Sequence, residues 1–126
     1  MKSMAAATLA VAAILLAVAA SAATRGSTTV LVSGHYRIDW EEQSFTPCGG
    51  HERWWVSNPG PLARHYRRVV TDRNWGTVYA TVRVDVTEPG MFGHMGIYPR
   101  AAAVREVVEA RAPAERDCRA GAAEAE

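Results

Sequence analysis

The chain has 126 residues, of which 48% are hydrophobic and 21% are charged, and its formal net charge is +1 at pH 7. This length allows one domain with one modest core. Lys2 is the only lysine, so after residue 22 thirteen arginines stand against thirteen acidic residues. Because nucleic-acid-binding proteins usually carry a basic excess, we expect no nucleic-acid partner.

The first 22 residues have the three parts of a secretory signal peptide. Lys2 supplies the positive start, an apolar stretch runs from Ala5 to Ala20, and Ala20-Ser21-Ala22 gives the small-x-small cleavage pattern. A bilayer span needs about 20 strongly apolar residues, whereas this stretch is shorter and mostly alanine. The use of Ala and Arg is typical of a GC-rich bacterium. We therefore expect cleavage before Ala23 and a periplasmic protein without a membrane span.

Two cysteines remain after the signal peptide, Cys48 and Cys118. In an oxidising compartment an even pair is most simply a disulfide. They are too far apart in sequence for a CxxC redox pair, which favours a structural bridge over a redox one. Such a bridge would hold the C-terminal tail against the body of the domain and leave no free thiol.

Strict alternation of apolar residues predicts a long first strand with one buried face, formed by Val30, Val32, Gly34, Tyr36, Ile38 and Trp40. Gly34 removes a side chain where this strand could bend or bulge. We expect Trp40, the last residue of the series, to fill the core.

Two shorter strands follow, from Ser44 to Cys48 and from Arg53 to Ser57. Aromatic and β-branched residues favour the second of these strands. Neighbouring strand residues point to opposite faces, so only one of Trp54 and Trp55 can be inside.

A helix is predicted after the break at Asn58-Pro59-Gly60-Pro61, because Leu62, Tyr66, Val69 and Val70 form one apolar stripe. The clearest strand comes next, with valines and Ala80 alternating from Val78 to Val86. Glu88 to Tyr98 is a glycine-rich loop.

The segment from Ala101 to Ala112 is ambiguous. Its valines and alanines fit a helix, but a strand returning beside the 78–86 strand fits as well. We predict a strand, because the 78–86 strand needs a partner. Residues 23–118 then form the domain, and the polar, Ala-rich residues 119–126 form a disordered tail.

Three strands, one short helix and two more strands are the element order of a five-stranded OB-like barrel. The predicted class is therefore mainly β, with the helix between strands 3 and 4. A long first strand with a central glycine agrees with this class, because that strand must serve both sides of the barrel.

Several short motifs resemble those of small exported bacterial OB-like domains: Gly34-x-Tyr36, Phe45-Thr46-Pro47-Cys48-Gly49, Trp54-Trp55-Val56, Val78-Tyr79 and Gly93-His94-x-Gly96-x-Tyr98. The relatives we name are the C-terminal OB domains of NlpE-type envelope lipoproteins, associated with copper resistance and envelope-stress sensing. The resemblance covers most of residues 28–112 and implies a β-barrel with a role in the envelope. The chain departs from that family in having no lipid-attachment Cys and no N-terminal CxxC metal domain.

Aromatic side chains near the loops that OB barrels use for ligands are the first candidate site. Trp55, Phe92 and Tyr98, together with His94, are the predicted ligand-binding residues, since stacking on aromatic rings serves sugars and bases. The alternative is that such rings only fill the core.

The loop Met91-Phe92-Gly93-His94-Met95 is the second candidate. Thioether and imidazole ligands suit copper, especially Cu(I), so Met91, His94 and Met95 could surround one ion. One His and two Met form a small ligand set, and Met-rich stretches often only pack. We therefore predict no resident metal or cofactor.

Signatures of catalysis are few. The sequence has no GxSxG elbow and no HExxH pattern, and pairs such as His35 with Asp39 are common on any surface. We expect a monomeric, non-enzymatic domain whose partner is an envelope protein, a glycan or a small ligand. Copper handling is the alternative.

Overall fold

Strands dominate the residues that the computed structural model describes, 26–71 and 75–119. The elements are β1 (Ser27–Asp39), β2 (Glu42–Pro47), β3 (Trp54–Asn58), α1 (Leu62–Val69), β4 (Gly76–Thr87) and β5 (Ala101–Arg111). This confirms the mainly β class with one short helix between strands 3 and 4, and residues 101–111 of the ambiguous segment form a strand. The predicted signal peptide, residues 1–22, and residues 120–126 of the predicted tail lie outside the described ranges.

The five strands pair in a closed ring. Hydrogen-bonded neighbours follow the order β1-β2-β3-β5-β4, and β4 returns to β1. Every pair is antiparallel except β3 with β5, which run parallel. The chain therefore crosses from β3 through α1 and β4 before β5 fills the gap between β3 and β4.

Gly34 lies where β1 begins to serve two neighbours. Its partner in β2 is Pro47 and its partner in β4 is Ala80. A Cβ at Gly34 would overlap the Thr46 carbonyl oxygen and press on the Phe45 ring. Only glycine lets the two strands approach this closely.

The core fills the inside of the ring. The inward face of β4 carries Val78, Ala80, Val82 and Val84, all without exposed surface, and α1 covers them with Leu62 and Tyr66. The Tyr66 ring meets the Tyr36 ring of β1 edge to face, with centroids 5.7 Å apart. The predicted stripe of α1 is thus the face that packs on the sheet.

The C-terminal segment 112–119, which we call the C-terminal clamp, is joined to the ring by the Cys48–Cys118 disulfide with an S–S distance of 2.07 Å. This confirms the predicted pairing. Asp117 is buried within the clamp and accepts hydrogen bonds from Arg111 at the end of β5 (2.6 Å) and from the Ala114 N–H (2.6 Å). Besides its backbone connection to β5, the clamp is therefore held by the disulfide and by one buried carboxylate.

The outer faces of β1, β4 and β5 meet in a small polar–aromatic layer beside the clamp. The Arg111 guanidinium stacks on the Tyr79 ring, 4.2 Å from its centroid. The His35 ring packs edge to face against Tyr79, with ring centroids 5.6 Å apart. His35 Nε2 lies 3.7 Å from Asp117. The Tyr79 side chain is consequently buried, although it lies on the outer face of the strand ring.

The prediction that Trp40 fills the core is wrong. β1 ends at Asp39, and Trp40 lies in the turn to β2 with 76% of its surface exposed. The apolar alternation continues one residue past the end of the strand, and Glu41 and Glu42 follow. In the ranges 26–71 and 75–119, no helix is long and apolar enough to cross a membrane.

Candidate functional site

The loop between β4 and β5 is anchored on β3. Its backbone pairs with itself where Phe92 N–H donates to the Tyr98 carbonyl (2.9 Å) and Tyr98 N–H donates to the Phe92 carbonyl (3.2 Å). The Tyr98 ring then packs on Trp55, with ring centroids 5.3 Å apart. Three of the four predicted ligand-binding residues therefore lie together.

Gly93 lets this loop lie directly on the Trp55 indole. Its φ is +69°, in the left-handed region that favours glycine. A Cβ at Gly93 would overlap the Trp55 ring. Trp55 is therefore half-covered by the loop backbone, and it points outward while Trp54, its neighbour, packs against the core.

The Tyr98 ring packs against Trp55 and offers little surface to a ligand, because only 4% of its surface is exposed. Burial raises the pKa of its phenol, an effect that Glu42 strengthens and Arg53 opposes. The Arg53 guanidinium lies 5.6 Å from the Tyr98 ring centroid. Phe92 is half-buried. Among the four predicted ligand-binding residues, the exposed one is His94.

His94 connects the loop to the β1–β2 turn. Its Nε2 lies 3.1 Å from Glu41 Oε2, and the other oxygen of Glu41 accepts a hydrogen bond from Trp40 Nε1 at 3.2 Å. Trp40 in turn meets Trp75 edge to face, with centroids 6.2 Å apart. These contacts place the loop, the turn and the start of β4 side by side.

Large exposed apolar side chains are concentrated on these three segments. The described residues include seven such side chains, and five of them form what we call the apolar end patch: Trp40, Trp75, Met91, Met95 and Ile97. Met91 and Met95 are 82% and 80% exposed. Met91 packs beside Gly96, within 4 Å of where a Cβ would stand. A groove of about 160 Å³ between the end of β1 and the start of β4 adjoins Trp75.

A row of ion pairs borders the apolar end patch. Arg37 donates to Asp39 (2.7 Å) and lies 3.4 Å from Glu42, which also pairs with Arg53. The Asp39 carboxylate accepts hydrogen bonds from the Trp40 N–H and the Arg37 side chain. These bonds lower the pKa of Asp39, and the bond from Trp40 has the larger effect. Charged groups of both signs therefore lie beside the residues of the patch.

The sequence also offered two alternatives, a copper loop at Met91–Met95 and an acid–base pair of His35 with Asp39. Among the residues in 26–71 and 75–119, no three His, Cys, Asp or Glu side chains come together as ligands for a metal ion. His35 faces Asp117 and not Asp39, whose carboxylate is engaged by Arg37. Met91 and Met95 lie on either side of His94 in the sequence, with His94 held toward Glu41.

The chain matches no protein-family model, no curated protein and no solved structure. The function is therefore inferred from the surface of the molecule. Sequence reasoning found the loop residues Phe92 and His94, but it assigned Trp40 to the core and did not consider Trp75. The register of β1 on β4, through Ile38 opposite Gly76, brings these two tryptophans together.

Proposed function

We propose that this chain is an exported, non-enzymatic OB-like domain that binds a protein partner in the periplasm through the apolar end patch. The observation that carries the proposal is that, among the described residues, five of the seven exposed large apolar side chains lie on three adjoining segments. Exposed apolar patches with polar borders mark interaction sites on proteins.

The composition of the patch favours a protein surface as the partner. Tryptophan and methionine are enriched in protein interfaces, and tryptophan is among the residues that contribute most to binding. Met91 and Met95 have flexible side chains that can adapt to an uneven apolar surface. The ion pairs of Arg37, Asp39 and Glu42 form the kind of polar rim that surrounds an interface centre.

The OB-like assignment is supported by the element order and by where the patch lies. OB barrels bind through the loops that join strands 1 and 2 and strands 4 and 5. Here the first of these holds Trp40 and the second holds Met91, Met95 and Ile97. With the resemblance to the C-terminal OB domain of NlpE-type lipoproteins, we assign the domain to envelope maintenance or stress response.

Export is supported by the Cys48–Cys118 disulfide, because structural disulfides persist in oxidising compartments. The proposal includes cleavage of residues 1–22. Mass spectrometry of the protein from the periplasm of its source organism should give a chain that starts at Ala23 and is two hydrogens lighter than its reduced form. A full-length or reduced product would contradict export.

Site-specific photo-crosslinking tests the binding proposal. A photoreactive phenylalanine analogue replaces Trp40 or Met95 in the patch, or Val108 as a control, in the source organism. Val108 is exposed on β5 outside the patch. We expect one protein adduct of the same mass from both patch positions and none from the control. No adduct, or the same adduct from Val108, would contradict a partner at the patch.

Cu(I) binding by Met91, His94 and Met95 is the second candidate. The observation in its favour is that Met91 and Met95 are both exposed and flank His94 in the sequence, a ligand set that suits Cu(I). Competitive titration with a Cu(I) chelator should show tight binding that the double variant Met91→Ala/His94→Ala loses and the control His51→Ala keeps. A wild-type protein that binds no Cu(I) rules this candidate out and does not affect the crosslinking result.

A further inference from the structure

A second concavity lies apart from the apolar end patch and shares no residue with it. This cleft, which we call the Trp54 cleft, has a volume of about 310 Å³. Its walls come from the start of β1, the start of β3, the end of β4 and the residue before β5: Thr28, Val30, Trp54, Val86, Thr87 and Arg100. The volume is at the lower end of the range for small-molecule sites.

The cleft is the open end of the ring interior. The β1–β2 ladder begins at Gly34, so the first residues of β1 pair with β4 alone. Thr28 is opposite Val86 in that ladder and Val30 is opposite the buried Val84. Residues directly opposite each other share a face, so Thr28 and Val30 point into the ring where no β2 residue closes it.

Trp54 gives the cleft an aromatic wall. Its ring stacks on Phe45 of β2, with centroids 6.3 Å apart and planes 26° from parallel. Its indole Nε1–H points to Glu52 Oε1 at 3.4 Å. Phe45 has no exposed surface, so one face of the Trp54 ring rests on the core.

The polar rim of the cleft is connected by hydrogen bonds. Arg100 Nη1 donates to the Thr87 carbonyl (2.9 Å), and Arg100 Nε donates to Glu52 Oε1 (3.3 Å). Thr87 Oγ1 accepts from the Ala101 N–H (3.0 Å). Glu88 adds a second carboxylate beside these groups. Guanidinium donors and carboxylate acceptors therefore stand next to an aromatic wall and two valines.

This combination selects a ligand that is neutral, hydroxylated and apolar on one face. We propose that the Trp54 cleft binds a pyranose ring, as a monosaccharide or as one residue of a glycan. The C–H face of such a ring stacks on the Trp54 indole, and its hydroxyls bond to Arg100, Glu52 and Glu88. Two carboxylates against one guanidinium repel phosphates, and the hydrogen-bonding rim favours hydroxyl groups over an alkyl chain.

Nuclear magnetic resonance tests this proposal on the ¹⁵N-labelled domain from residue 23 onward. The chain has four tryptophans, and Trp54→Phe, which retains an aromatic ring on the core, identifies the Trp54 indole signal by its loss. The probes are glucose, galactose, mannose and N-acetylglucosamine with their disaccharides. Tetramethylammonium and inorganic phosphate serve as charged comparisons.

We expect at least one saccharide to shift the Trp54 indole signal saturably, with a dissociation constant of about 1 mM or tighter. Arg100→Gln should weaken binding about tenfold, because it removes hydrogen bonds from a charged group. The matched control is Arg105→Gln, whose guanidinium is exposed on β5 outside the cleft, and it should bind like wild type. Glu52→Gln provides a second test if Arg100→Gln does not fold.

Three results would overturn the proposal. One is the absence of any saturable saccharide shift at Trp54. Another is equal weakening in Arg105→Gln and the cleft variants. The third is binding of tetramethylammonium or phosphate at Trp54 without binding of any saccharide, which would assign the cleft to an ion.

Discussion

Replacing Cys48 and Cys118 with serine removes the disulfide that joins the C-terminal clamp to the residue after β2. The two cysteines are 70 residues apart in sequence. On the chain-entropy treatment, closing a loop of this length stabilises the fold by about 4 kcal/mol, because the linked unfolded chain has fewer conformations. A domain of this size has a total stability of about 5–15 kcal/mol, so the variant keeps only part of it.

Urea unfolding of the domain from residue 23 onward measures this loss directly. We expect the free energy of unfolding, extrapolated linearly to water, to fall by about 4 kcal/mol in the double serine variant. The corresponding fall in Tm is roughly 15–30 °C. Adding a reductant to the wild-type protein should reproduce the change, and the same reductant should leave the serine variant unaffected.

A change below about 1 kcal/mol would refute this reasoning, because it would mean that the disulfide does not restrict the unfolded chain. The m-value gives an independent check. The unlinked unfolded chain exposes more surface, so m should rise when the disulfide is removed.

Three other variants test the packing. Burial raises the pKa of Asp117, but hydrogen bonds from Arg111 and the Ala114 N–H outweigh it, so the pKa is lowered; Asp117→Asn should reduce stability by about 2 kcal/mol at pH 7. That difference is fully present above the ordinary aspartate pKa of about 3.9 and should disappear as pH falls through the lowered pKa, which urea unfolding across pH would show; a pH-independent difference would contradict the role of the charge. Gly93→Ala should displace the loop from Trp55, change indole fluorescence and destabilise by about 1–3 kcal/mol, because alanine is strained at this positive φ; an unchanged spectrum would contradict the close approach. Leu62→Ala should destabilise by about 2–5 kcal/mol, and a smaller loss in thermal unfolding would mean that α1 does not seal the core.

Most of the secondary structure could be predicted because each element has a clear period. The alternating valines of β4 and the apolar stripe from Leu62 to Val69 each show which face of the element is buried. The disulfide could be predicted because the chain has only two cysteines. Trp40 was misplaced because alternation reports which way a strand residue points but not the residue at which the strand ends.

The candidate sites were harder to predict, since they depend on contacts between segments far apart in sequence. Phe92 and His94 could be found from one short loop. The contact of His94 with Glu41 depends on how the ring closes. The Trp54 cleft combines side chains from four segments, with no motif that joins them, so the sequence alone could not locate it.

The measurement that tests the central claim most directly is the affinity between the purified domain and the protein captured at position 40. Isothermal titration calorimetry compares wild type with Trp40→Ser, Met95→Ser and the control Val108→Ser. Each patch variant should bind at least about tenfold more weakly, because each removes an exposed apolar side chain from the interface centre, and Val108→Ser should bind like wild type. Equal affinity of all four proteins would contradict binding through the apolar end patch.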